Sequence, residues 1–203
     1  MCASGFRKEF TSYAIVDFSA VREFPVKKRS YSLSKVYGLL EPGPVLLLTT
    51  ADRGRANVMT MSWHTMMEFE PPLVGCVVSG RDFSFEALRK TRQAVLNIPT
   101  ADLARQVVGC GNRSGRRVDK FKAFGLTPLP AEQVVAPLVA ECYANLECRV
   151  SDTGWVNRYN FFVLEVVKAW IDPACKDPVT LHHRGRGVFV LDSETIRLRS
   201  KAK

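Results

Sequence analysis

Asn57, Thr60 and Ser62 are polar residues inside a β-prone stretch that also carries Met61 and ends on Trp63. A strand with such groups is odd for a plain core. It suits a wall that faces a flat ligand with a polar edge, although Trp63 alone reads equally as a core aromatic. Downstream, Ser79, Arg81 and Ser84 flank the start of a helix. There, unpaired N–H groups and a partial positive charge favour an anion. Ser84 also reads simply as that helix's N-cap, a role compatible with anion docking, and Arg81 reads equally as a solvated loop residue. Lys120 offers a further cation, unless Asp119 is merely its surface ion-pair partner.

Other chemistries find less support. Arg113-Ser114-Gly115-Arg116-Arg117 lacks the Gly-Lys-Ser/Thr ending of a nucleotide-binding P-loop. It is either a solvated basic loop or one that meets ligand phosphates. His182 and His183 are adjacent, so on a strand their rings point to opposite faces, which argues against a shared metal. His64 should face away from whatever Trp63 touches. No His-x-x-His pair, carboxylate cluster or Ser/His/Asp order appears, so neither metal ligands nor a catalytic side chain is assigned. The cysteines Cys2, Cys76, Cys110, Cys142, Cys148 and Cys175 include no Cys-x-x-Cys pair. A structural zinc site and a dithiol motif are therefore not indicated, and Cys76 reads as a small buried side chain.

The elements that must position these residues follow from patterning. Val45 to Thr50, Asn57 to Trp63 and Pro71 to Ser79 read as three consecutive antiparallel strands, with a turn at Asp52 to Ala56 and a short loop before Pro71. Ser32 to Leu40 could form a short helix stopped by Pro42-Gly43-Pro44. Phe83 to Arg92 predicts a helix, with Glu86 in its first turn and Arg89, Lys90 and Arg92 toward its end. Ala94 to Ile98 is a strand closed by Pro99. Asp102 to Val108 predicts a second helix, Gly109-Cys110-Gly111-Asn112 a flexible break, and Val118 to Phe124 a short helix ended by Gly125. Val139 to Val150 and Phe161 to Ile171 are long strands joined by a hairpin loop, and Val188 to Leu191 is the last strand. About seven strands with helices in the middle third fit a mainly β, antiparallel barrel with inserted helices better than a βαβ sheet.

At 203 residues the chain suits one sizeable domain. Residues 1–34 read as an extension, 35–192 as the domain and 193–203 as a basic tail. No apolar stretch approaches the roughly 20 residues of a spanning helix, and the N-terminus lacks the apolar core of a secretory signal. A cytoplasmic protein without membrane contact is expected. The net charge of +9 is distributed among Lys27 to Arg29, Arg113 to Lys122, Arg184 to Arg186 and the tail. It suits either a nucleic-acid or membrane surface, or the attraction of small phosphorylated molecules.

The run Gly43 to Thr50, Asn57 to Trp63, Pro71-Pro72-Leu73-Val74-Gly75, Ser79 with Phe83-Ser84, Asn97-Ile98-Pro99, Asp119-Lys120-Phe121 and the late strand to Asp172 resembles the flavin reductase-like family of FMN-binding split barrels, closest to its flavoredoxin branch. The resemblance implies a homodimer with FMN held noncovalently near the subunit interface. It implies that Asn57, Thr60, Met61, Ser62 and Trp63 lie along the isoalloxazine ring, that Ser79 and Ser84 approach the phosphate, and that Lys120 reaches the cofactor. Val78, Phe83 and Ser114 complete the expected cofactor set. A strand edge can offer the ring's pyrimidine side backbone N–H groups while Trp63 or Met61 covers a face. The implied activity passes electrons from NAD(P)H through FMN to free flavin, a ferric complex or other small-molecule substrate, a partner oxygenase or another redox protein. The competing classes are a non-catalytic flavin or electron carrier, and a basic RNA-binding barrel using Tyr159, Phe161 and Phe162 near Arg158.

Overall fold

The computed structural model describes residues 43–192. The expected helix at Ser32 to Leu40, the N-terminal extension, the basic tail and Cys2 lie outside the described residues. Strands β1 (Leu46–Asp52) and β2 (Arg55–Met61) form a hairpin in which Leu46 faces Met61 and Asp52 faces Arg55. The two turn residues, Arg53 and Gly54, both have positive φ, at 51° and 77°. That turn matches the twist of a tight hairpin.

The next segment departs from expectation. His64–Phe69, where the sequence predicts a loop, is strand β3. Strand β4 (Pro72–Val77) therefore pairs with β3 rather than with β2. The sequence hides β3 because nearly all its residues are exposed, so no apolar alternation marks it. Strands β5 (Gln93–Ile98), β8 (Ala144–Asp152) and β9 (Phe161–Ile171) complete a sheet in the order β2-β1-β5-β8-β9-β4-β3. Its outermost strands, β2 and β3, are consecutive in the chain. Laid flat, strands at the two edges of this sheet would lie about 29 Å apart. The three peptide steps from Met61 to His64 span at most about 11 Å. The sheet must therefore roll until its edges approach at Ser62-Trp63, leaving one unpaired seam: a split barrel.

Alternation then assigns the side chains. Leu46, Leu48, Met61, Cys76, Leu96, Phe162 and Leu164 pack together with Phe85 and Leu88 of helix α1 (Phe83–Thr91). On the other side of the wall, Val45, Leu47 and Val58 pack against Val107 and Cys110 of helix α2 (Ala104–Asn112) and Phe121 of helix α3 (Lys120–Phe124). Gly109 to Asn112 is thus the last turn of α2, not a break. Gly109 is small for packing: a Cβ there would lie 2.4 Å from the Phe124 ring. A turn of 3₁₀ helix, Ala101–Leu103, precedes α2. Asp119 caps α3 by accepting from the Lys122 N–H at 3.2 Å, and Gly125 ends it at φ 63°.

The strand expected over Val139 to Val150 is interrupted. Leu138–Val139 (β7) pairs with Pro128–Leu129 (β6), a turn follows, and β8 begins at Ala144. The connection before β9 contains one helical turn, α4 (Val156–Tyr159). Leu181–His183 (β10) and Phe189–Leu191 (β11) form a closing hairpin tied to the barrel by the Val45 N–H donating to the Leu181 carbonyl at 2.7 Å.

Candidate functional site

Residues three apart on a strand face opposite ways, and this separates the polar residues of β2. Asn57 shares its face with Met59 and Met61, and its Nδ2 donates to Ser84 Oγ at 2.8 Å. Thr60 shares its face with Val58 and donates to the Val107 carbonyl at 2.5 Å. The expected single polar wall therefore does not form from side chains. What β2 offers outward is its backbone: it is an edge strand, and among the described residues no strand pairs with its outer side. Met61 and Val78 are buried in the core, whereas Trp63 stands 57% exposed at the corner between β2 and β3. The Ser62 carbonyl accepts from the His64 N–H at 3.1 Å. His64 turns away from Trp63 to hydrogen-bond the Pro44 carbonyl through Nε2 at 2.7 Å.

At the start of α1 the capping residue is Asp82, not Ser84. The Asp82 carboxylate accepts from the Ser79 N–H at 3.1 Å, and Ser79 Oγ accepts from the Arg81 N–H at 3.2 Å. Ser79 is thus held in a closed turn. Ser84 lies inside the helix, fully buried against Asn57. The two serines are engaged separately.

Lys120, at the first position of α3, is only 5% exposed. Its Nζ donates to the Cys110 carbonyl at 2.7 Å. It does not pair with Asp119, which caps the helix instead. Burial lowers the Lys120 pKa, while Cys110 and Asp82 pull it partly back. An ammonium has three donors, and the Cys110 carbonyl takes one. The donor set fits an anionic ligand, because burying a charge is costly until a counter-charge meets it.

The basic loop packs onto this region. A Cβ on Gly115 would lie 2.1 Å from Asn57 Oδ1 and 2.6 Å from Phe83, so only glycine allows this approach. Arg55 Nη2 donates to the Gly115 carbonyl at 2.6 Å. The guanidinium carbons of Arg55 and Arg116 lie 4.7 and 5.6 Å from the Phe83 ring centroid. Ser114 closes the loop: its Oγ accepts from Arg116 N–H at 3.3 Å, and its carbonyl from Arg117 and Val118 at 3.1 and 3.2 Å. Opposite Asn57 in the hairpin sits Thr50, whose buried hydroxyl has no hydrogen-bond partner. Sequence reasoning missed Arg55, Thr50 and Asp82. Two-residue spacing would have placed Arg55 on the face of Asn57, whereas nothing in the sequence marks Thr50.

The other candidates separate from this region. His182 Nε2 meets Thr180 Oγ1 at 2.9 Å, while the His183 ring packs on Phe189 at 5.2 Å. Among the described residues no three His, Cys, Asp or Glu side chains could together hold a metal ion. Burial pushes the Cys76 thiol up to about 12 and that of Cys110 up to about 11. Neither is poised as a thiolate nucleophile. Phe162 is fully buried, which removes it from any base-stacking surface. No helix among the described residues is long and apolar enough to cross a membrane.

The rolled sheet with one open seam makes this a split barrel. The uncharacterized protein YddH of Escherichia coli K12 is 32% identical over 172 residues, 78% of this chain and 91% of YddH. The chain belongs to the flavin reductase like domain family, whose profile matches residues 39–189. Among solved structures, an FMN-binding domain of a flavin reductase-like enzyme from Shewanella baltica is similar at TM-score 0.72 and 25% identity, covering 84% of this chain and 97% of its own. Flavoredoxin of Desulfovibrio vulgaris shares the fold at TM-score 0.75 and 24% identity, with 87% and 99% covered.

Proposed function

We propose that this chain binds FMN noncovalently and works as an oxidoreductase that moves electrons from NAD(P)H to a second acceptor. The observation that carries the reading is Lys120, a buried cation with donors to spare beside an unpaired strand edge. Lys120 would hold the phosphate. The outer N–H groups of β2 would hold the pyrimidine edge of the ring, and Trp63 would cover a face. Bound flavin supplies reversible two-electron chemistry; the chain's own part is to orient the ring, neutralise its phosphate and exclude water. The FMN-binding relative from Shewanella baltica supports this choice of ligand.

The chain would act as a homodimer. Met66, Met67 and Phe69 on the edge strand β3 are exposed beside Trp63, Phe69 to 82%. An exposed apolar edge of this kind is suited to cover by a second copy. Sedimentation at micromolar concentration should give a dimer, and a Phe69→Glu variant should shift it to monomer.

Protein purified without added cofactor should be yellow, and anaerobic NADPH or NADH should bleach it. A colourless protein that ignores added FMN would remove the proposal. A yellow protein that no nucleotide bleaches would instead be a carrier fed by another reductase.

A further inference from the structure

We infer that Arg55 and Arg116, held on Phe83, form a second anion site that reads the 2′-phosphate of the exchanging nucleotide, so that NADPH is preferred to NADH. The inference rests on the proposed oxidoreductase reading and names its substrate. Lys120 is buried, as suits a resident phosphate, whereas Arg55 and Arg116 are exposed, as suits a ligand that comes and goes. Both guanidiniums are nevertheless pre-positioned. Each lies near the Phe83 ring, and Arg55 is fixed further by the Gly115 carbonyl at 2.6 Å. The Ser114 hydrogen bonds fix the loop that carries Arg116.

Their charge is also unanswered. The ion pairs among the described residues join Arg89 to Glu86, Lys90 to Asp52, Lys168 to Glu132 and His182 to Asp192, and none includes Arg53, Arg55, Arg113, Arg116 or Arg117. Arg55 retains four of its five N–H donors after the Gly115 bond. A planar guanidinium fork matches a phosphomonoester, and stacking on an aromatic ring limits the side-chain entropy lost when one binds. NADH offers only its bridging pyrophosphate, whereas NADPH adds a terminal dianion of the kind a fork binds best.

Two sources of phosphate must be separated, FMN and the nucleotide. The first arm titrates adenosine 2′,5′-bisphosphate and 5′-AMP into the FMN-loaded protein by calorimetry. We expect the bisphosphate to bind about tenfold tighter, with the gap closing as salt is raised. In Arg55→Gln/Arg116→Gln the two probes should bind alike, and the NADPH:NADH ratio in anaerobic flavin reduction should fall toward one. The second arm measures FMN against riboflavin in the same variant, where FMN affinity should stay within about twofold. Equal binding of the two probes by the wild type, or an FMN loss replacing the nucleotide loss, overturns the inference while leaving the flavin reading intact. Failure of the wild type to bind FMN would sink both.

Discussion

Two polar clusters are buried in this barrel, and they treat their hydrogen bonds differently. On β5 and β8, Asn97 Nδ2 donates to the Leu47 carbonyl at 2.7 Å, and its Oδ1 accepts from Val139 N–H and Asn145 Nδ2 at 2.9 and 2.8 Å. Beside them Glu147 accepts from Trp170 Nε1 and the Gln133 and Glu132 amides at 2.7, 2.6 and 3.1 Å. Each polar side chain there holds down the segment 131–139. Around β2, α1 and α3 the cluster stays open: among the described residues the buried Thr50 hydroxyl has no hydrogen-bond partner, and the buried Lys120 ammonium has one. Burial makes a polar group costly wherever it is unsatisfied. A closed cluster therefore reports structure, and an open one reports a ligand.

Glu147→Ala should have the largest effect. It should cost about 3–5 kcal/mol of stability in urea, because three N–H groups lose a charged acceptor that is itself buried. FMN affinity of the folded variant should be unchanged. Burial pushes the Glu147 carboxyl up, but the hydrogen bonds from Trp170 and from the Gln133, Glu132 and Val134 amides outweigh it and hold it below the usual range. Its stabilisation is therefore complete above the ordinary glutamate value near about 4.3, and is lost as pH falls through the lower native value. Wild type and variant should converge in stability on acidification through that window. A constant gap at all pH values would mean that the carboxylate's charge plays no part.

Lys120→Ala is the complementary test. It should weaken FMN by about 100-fold and riboflavin by no more than about threefold, read by flavin fluorescence. The unliganded protein should be as stable as wild type or slightly more so, since a buried charge has been removed. A large loss of stability with equal losses for both flavins would place Lys120 in the closed class instead.

Gly115→Ala ranks next. The new methyl group must displace either Asn57 or the loop, since the available gap is 2.1 Å. About 1–3 kcal/mol of stability should go, along with the tighter binding of adenosine 2′,5′-bisphosphate, because the Gly115 carbonyl would no longer orient Arg55. Unchanged binding of that probe would show that Arg55 does not depend on the loop.

The contrast also explains which parts were legible in the sequence. Phe161 to Ile171 matched its strand end to end, and Gly125 stops α3 as expected, because apolar runs and positive-φ stops are local signals. The ordered motifs from Gly43 to Asp172 pointed to the split barrel, which the sheet order bears out. Strand β3 was hidden because an exposed edge strand with a bulge between Met66 and Glu68 has no buried face to set a period. The closed cluster was hidden for a different reason. Asn97 and Asn145 look like interruptions of apolar strands until they pair 48 residues apart. Asn57 and Thr60 were grouped by proximity in the chain, although their odd spacing already sent them to opposite faces.

Thr50→Val should have the smallest effect and the most diagnostic sign. The Thr50 hydroxyl is buried with no partner, so replacing it with a methyl group of similar shape should stabilise the unliganded protein by about 1 kcal/mol. That corresponds to a rise of about 3 °C in Tm for a domain of this size. Should the open cluster serve the ligand, FMN would bring the hydroxyl a partner, directly or through water at the Asn57–Ser84 pair, and the variant would lose that contact. The sign of the change should then reverse on loading, with the FMN-bound variant melting below FMN-bound wild type. A variant that gains the same amount in both states would show that Thr50 is only a packing defect and that the opening beside Asn57 lies elsewhere.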